Sequence, residues 1–160
     1  NNNHFPWIGF VGYEIHYNGH IRVRKSSLQK ELQKQKEVVS KIKHAIKDDN
    51  KRARNGTVLE SAANRLIGMA VGRVQMWNHK ELEHEMCWVN GFHKLHNNPF
   101  IKKQLKHLDK NRKHQMAQLK KEVDKYEDED YEKEEVPRPQ RKPIYYGKPF
   151  SYYYHVIEKK

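Results

Sequence analysis

The chain of 160 residues carries 32 Lys and Arg against 20 Asp and Glu, a formal net charge of +12, with 36% apolar and 32% charged residues. No apolar run approaches the roughly 18 residues a membrane-spanning helix needs, so the chain reads as soluble, with no membrane partner. Cys87 is the only cysteine, which excludes an internal disulfide and suits a reducing, cytoplasmic setting.

The charge is unevenly spread: 25 Lys and Arg and 12 Asp and Glu precede Glu127, while 7 and 8 follow from there on. A basic body with an acidic joint points to a polyanionic partner, because each phosphate contact releases counterions. A solvated, Lys-rich helical surface is the plainer alternative. The chain opens on Asn1 with no Met and no signal peptide before its first strand, so the expectation is a fragment of a longer protein.

The first predicted element is a β-hairpin within residues 10–25. A two-residue Asn18-Gly19 loop would set Ile15 opposite Arg22 and mix apolar with charged residues on both faces. A three-residue loop, Tyr17-Asn18-Gly19 with Gly19 left-handed, pairs Ile15 with Ile21, Tyr13 with Val23 and Glu14 with Arg22. That register separates one apolar face from one charged face and is preferred. Tyr13, Ile15, Ile21 and Val23 then need something to pack on.

A helix capped by Ser26 or Ser27 follows, with Leu28, Leu32, Val39, Ile42 and Ile46 at helical spacing and Lys25, Lys30, Lys34, Lys36, Lys41 and Lys43 on other faces. Residues 48–56 form a polar, basic loop. Thr57 to Glu60 is a capping box opening the most apolar helix, which runs to about Trp77. Gly68 and Gly72 within it would each cost about 1 kcal/mol relative to Ala unless a backbone or ligand packs closely there. A shorter helix is predicted from His79 to Leu95. Asn98-Pro99 starts another with the stripe Ile101, Leu105, Leu108, Met116, Leu119, Val123 and Tyr126, opposite a side carrying Lys102, Lys103, Lys106, Lys110, Arg112, Lys113, Lys120 and Lys121.

The acidic run Glu127 to Glu135 is expected to end regular structure. Four prolines between 137 and 149 make an extended linker, and an aromatic patch from Phe150 to Ile157 is expected to dock on another surface. The fold class is therefore mainly α: an N-terminal β-hairpin (1–25), a basic helical bundle (26–126), an acidic then Pro-rich linker (127–149) and an aromatic tail (150–160).

Carboxylates that could hold catalytic ions are scattered. His84, Cys87, His93 and His96 are possible zinc ligands, but they fall on helical stretches without the usual spacing of a structural zinc site. Nothing oxyanion-like surrounds Cys87, and no phosphate-binding Gly-rich loop occurs. What remains is basic residues among aromatics: Tyr13, Tyr17, Arg22, Arg24 and Lys25 at the hairpin, Lys51, Arg52 and Arg54 in the loop, Arg65, Arg73 and Trp77 on the apolar helix. Arg65 and Arg73 suit a helix laid along a nucleic-acid backbone, or equally a pair of stems covering an apolar face.

Trp7-Ile8-Gly9-Phe10-Val11-Gly12-Tyr13-Glu14-Ile15, a turn, and His20-Ile21-Arg22-Val23-Arg24-Lys25 together resemble the primer-grip hairpin of bacterial reverse transcriptases. The non-intron lineages, diversity-generating and phage-defence types, are the most similar. The likeness is specific over these residues and general over the basic helices that follow, including residues 104–115, which resemble the thumb. It implies that Phe10, Val11 and Gly12 support the primer 3′ end, with Val11 in place of the usual Leu. It also implies that Arg22, Arg24, Lys25, Lys30, Lys34, Lys51, Arg52, Arg54, Arg65 and Arg73 track an RNA–DNA duplex or structured RNA through phosphates and sugars. The family's catalytic Asp-Asp motif, with its Mg2+ ions, lies before the primer grip. This chain is then the non-catalytic end of an RNA-directed DNA polymerase, with no cofactor of its own and a palm and fingers portion as partner.

A free-standing basic helical RNA-binding or scaffold protein is the alternative. A free-standing domain should bury Tyr13, Ile15, Ile21 and Val23 internally, whereas a polymerase segment should leave that face open.

Overall fold

The computed structural model describes residues 7–10, 13–48, 57–71, 99–140, 148 and 150–151. In chain order the elements are β1 (Ile8–Phe10), β2 (Tyr13–Ile15), β3 (Ile21–Val23), α1 (Lys25–Asp48), α2 (Thr57–Val71) and α3 (Pro99–Lys133). The protein is mainly helical behind an N-terminal antiparallel sheet, the class its periodicity predicts.

β2 and β3 adopt the predicted register, with Tyr13 opposite Val23, Glu14 opposite Arg22 and Ile15 opposite Ile21. The loop closes with the His16 N–H donating to the His20 carbonyl at 2.9 Å, and Gly19 takes a φ of 85°. Only glycine adopts that left-handed conformation without strain. The hairpin has a third strand that the sequence reading lacks. β1 pairs with β2, Ile8 opposite Ile15, Gly9 opposite Glu14 and Phe10 opposite Tyr13, in the order β1-β2-β3. Directly paired residues share a face. Ile8, Tyr13, Ile15, Ile21 and Val23 therefore lie on one side, and Gly9, Glu14 and Arg22 on the other.

α1 starts at Lys25, one residue after the Arg24 carbonyl has accepted the N–H groups of Ser27 at 3.0 Å and Leu28 at 3.1 Å. β3 ends at Val23, so the cap position falls to Arg24 rather than to Ser26 or Ser27. The buried stripe of α1 is also rotated from the predicted one. Glu31 and Gln35 are buried with Val39 and Ile46, while Leu28 and Leu32 are half-buried. The cause is the polar surface that α3 offers here: Asn111 Nδ2 donates to Gln35 Oε1 at 2.7 Å.

Arg112 corrects a second expectation. It is fully buried rather than on the Lys-rich outer side, because it stands four residues from both Leu108 and Met116 on the apolar stripe. Both Glu31 and Arg112 are engaged by other groups, as buried charges must be.

Gln104 of α3 bonds Val23, and Asn111 bonds Leu32 and Gln35, so later residues of α3 meet later residues of α1. The two helices run side by side in the same direction. At the far end α2 joins them in one core of Val39, Ile46, Leu59, Ala62, Ala63, Leu66, Met116, Leu119 and Val123. Each large aliphatic side chain buried there contributes about 1.5–3 kcal/mol.

The acidic run does not end regular structure: α3 continues to Lys133. Tyr126 packs against the core and Glu127 is itself buried, so packing carries the helix onward through residues of good helix propensity. α3 then stops in a Schellman motif. The Val136 N–H donates to the Tyr131 carbonyl and the Glu135 N–H to that of Glu132, both at 3.2 Å, with Glu135 at a φ of 54°.

That turn delivers Arg138 to Asp124 at 2.7 Å, Asp128 at 2.8 Å and Glu127 at 3.0 Å. Further on, Phe150 is buried, and the N–H groups of Phe150 and Ser151 donate to the Asp109 carboxylate at 3.0 and 2.9 Å. For these two residues the docking surface of the tail is α3 itself. The predicted loop 49–56, the apolar helix beyond 71, the helix 79–95 with Cys87 and its histidines, and the tail from 152 lie outside the described residues.

Candidate nucleic-acid interface

α1 and α3 begin at the same end of the molecule, beside the sheet. Their parallel course places two helix N-termini there, each with partial positive charge. An acidic residue in a first turn would normally offset that charge by about 0.3–1 kcal/mol. Neither helix has one; α1 opens with Lys25, and α3 carries Lys102 in its first turn. Arg24 adds an exposed guanidinium at the junction. Its Nη2 lies 3.1 Å from where a Cβ on Gly9 would stand, so Gly9 leaves room for it to lie across the sheet.

The charged face of the sheet is built around Trp7. The Arg22 guanidinium stacks 3.9 Å from the indole centroid, and its Nε donates to Glu14 at 2.6 Å. Phe100 meets Trp7 edge-on at 5.5 Å and His20 at 5.0 Å, tying the first turn of α3 to the sheet. Gln104 completes the junction, bonding both main-chain groups of Val23 at 2.9 Å.

Helical spacing continues the positive surface away from this end. Lys30, Lys34 and Lys41 are exposed along one flank of α1, while Lys103, Lys106, Lys110 and Lys113 are exposed along the outer side of α3. The polarity of α3 then reverses. Through Met116 it holds six Lys and Arg against Asp109 alone, and from Ala117 to Lys133 four Lys against seven Asp and Glu. This order opposes the helix dipole at both ends. Apolar packing of the stripe therefore carries the helix, and the charges are left to serve another end.

The residues predicted for the site divide accordingly. Arg24, Lys25, Lys30 and Lys34 are exposed and share the α1 end of this surface. Arg22 is held by Glu14 and Trp7, and its role in the sheet is structural. Tyr13 lies on the opposite, apolar face, where burial pushes its phenol above the ordinary range. Arg65 is exposed on α2. Phe10 closes β1 opposite Tyr13, whereas Val11, Gly12, Lys51, Arg52, Arg54 and Arg73 lie outside the described residues.

The α3 ridge was visible as spacings of three and four between lysines but was not assigned to the site. Trp7, Phe100 and Gln104 were not assigned to the site, since they meet only through tertiary structure.

Tyr13 and Ile21 are half-buried and Val23 is buried, but Ile15 is 38% exposed and Ile8 69% exposed. The apolar sheet face is thus covered along β3 and open along β1. Among the described residues, no helix is long and apolar enough to cross a membrane. Comparison with protein-family models, curated proteins and solved structures gave no match.

Proposed function

We propose that the chain is the primer-grip and thumb portion of a bacterial-type reverse transcriptase, holding a template–primer duplex by phosphate and sugar contacts. The observation that carries this reading is the end where α1 and α3 start together. There, two uncompensated helix N-termini, Arg24, Lys25 and the ridge Lys103, Lys106, Lys110 and Lys113 form one positive surface beside a sheet. Such contacts position a duplex without reading its sequence.

The resemblance of residues 7–25 to the primer grip supplies the enzyme class. The open apolar edge at Ile8 and Ile15 supports a palm portion seated there, which would hold the catalytic carboxylates and their Mg2+. The test is binding of an RNA–DNA duplex by fluorescence anisotropy. Binding should be sequence-tolerant and fall steeply with salt. Binding at about 50 mM salt no better than to a neutral polymer would overturn the proposal.

One observation favours a free-standing RNA-binding protein instead: α1, α2 and α3 share a closed core of their own. The coding sequence upstream of Asn1 separates the two, since an Asp-Asp motif there belongs only to the first.

A further inference from the structure

A row of rings crosses the charged face of the sheet and ends in solvent. In order it runs Tyr17, His16, Trp7, Phe100 and His20, with centroids 4.5, 5.2, 5.5 and 5.0 Å apart. The pairs are tilted or edge-on, as aromatic quadrupoles prefer. The inner rings tie α3 to the sheet, but packing does not account for Tyr17. That residue is 72% exposed in the turn between β2 and β3.

The turn that carries Tyr17 is held in shape. The Gly19 N–H donates to the His16 carbonyl at 2.9 Å, and the His20 N–H donates to Asn18 Oδ1 at 3.1 Å. The His16 ring lies against Tyr17 from the inner side. Trp7 is enclosed by Arg22, His16 and Phe100, which leaves Tyr17 as the open ring of the row.

The charge around the row has one sign. Residues 15–30 and 99–108 contain no Asp or Glu, and Glu14 is paired with Arg22. Arg24 reaches across Gly9, which stands two residues along β1 from Trp7, about 7 Å away. An open ring among unopposed cations matches a planar base joined to phosphates.

We propose that Tyr17 is a stacking site for an unpaired nucleobase whose flanking phosphates lie among the cations of the sheet and of the two helix starts. Bases inside a duplex already stack on one another, so the occupant is a single-stranded extension of the bound nucleic acid. Every base has a π-face, so the site tolerates any sequence. The proposal rests on the nucleic-acid reading above and adds to it the place where a strand leaves the duplex.

The test uses the full chain and three RNA–DNA duplexes: one blunt, one with a three-nucleotide adenine extension, and one with an abasic extension of equal length. The two extensions carry the same phosphates, so the ratio of their affinities isolates stacking. The natural chain should prefer the adenine extension about tenfold, within the range of one base–aromatic stack. Tyr17→Ala should bring the ratio to about one, and Tyr17→Phe should restore it, with circular dichroism establishing that each variant folds. A ratio of one in the natural chain, or an undiminished ratio in Tyr17→Ala, would overturn the stacking site, while tight binding of the blunt duplex would leave the duplex reading standing. Preference for the adenine extension without binding of the blunt duplex would uphold the stacking site and overturn the duplex reading.

Discussion

The side-chain amide of Gln104 takes the place of a neighbouring strand for Val23, accepting from its N–H and donating to its carbonyl, each at 2.9 Å. One side chain thereby satisfies two groups of the edge strand β3 and fixes the sheet to α3. Gln104→Ala leaves a buried strand residue without those partners. The expected loss is about 1–3 kcal/mol, from two bonds of roughly 0.5–1.5 kcal/mol each. Chemical denaturation checks it, and an unchanged midpoint would show that the amide is dispensable.

Glu135 occupies the left-handed position of the Schellman motif with a φ of 54°. Glycine reaches that conformation without the clash that a Cβ brings. Glu135→Gly is expected to stabilise the protein by about 0.5–1 kcal/mol, even though it removes a side chain from the surface. A thermal melt that moves downward would contradict the turn geometry.

Asp124 ties Arg138, just beyond the end of α3, to the helix electrostatically. Partial burial pushes its carboxyl upward, but hydrogen bonds from Lys120 and Arg138 outweigh that and hold it below its ordinary value of 3.8. A carboxyl depressed on folding contributes stability that is present above its unfolded value and lost as pH falls through the folded one. The stability difference between the natural chain and Arg138→Ala should therefore be constant near neutral pH and shrink below about pH 4. Melts at pH 7 and at pH 3 make the comparison, and a difference that grows on acidification would refute the assignment.

Ile8 is an isoleucine at the sheet edge with most of its surface in water. Ile8→Lys is expected to change stability by less than about 0.5 kcal/mol, as a surface substitution. The same change should abolish association with a palm portion supplied in trans. If the variant unfolds, the face is part of the protein's own core and the open-edge argument fails.

The hairpin register was legible in the residues, because a slip by one would have mixed Ile15 and Arg22 on a face. The apolar stripe of α3 was legible for the same reason, at the helical period. Arg112 was misjudged because its charge outweighed its position, four residues from Leu108 and Met116. The acidic run was expected to end regular structure because only its composition is legible in the residues, whereas the packing of Tyr126 and the clamp of Arg138 depend on tertiary structure. β1 escaped notice because three residues, one of them Gly9, make too short a period to detect. In the candidate site, the exposed lysines of α1 could be read directly. The parallel course of α1 and α3, which brings their N-termini together, could not, since it depends on contacts such as Gln35 with Asn111.

On the proposed function, the surface running from Arg24 and Lys25 along the α3 lysines holds a nucleic-acid duplex. The most direct measurement is the salt dependence of RNA–DNA duplex binding by the natural chain and by a variant with Lys103, Lys106, Lys110 and Lys113 all changed to Gln. Duplex binding through this surface predicts a log–log slope of about −4 or steeper for the natural chain, and a slope shallower by roughly 3.6 in the variant, at about 0.9 for each of four phosphate contacts. Equal slopes and equal affinities for the two proteins would contradict it.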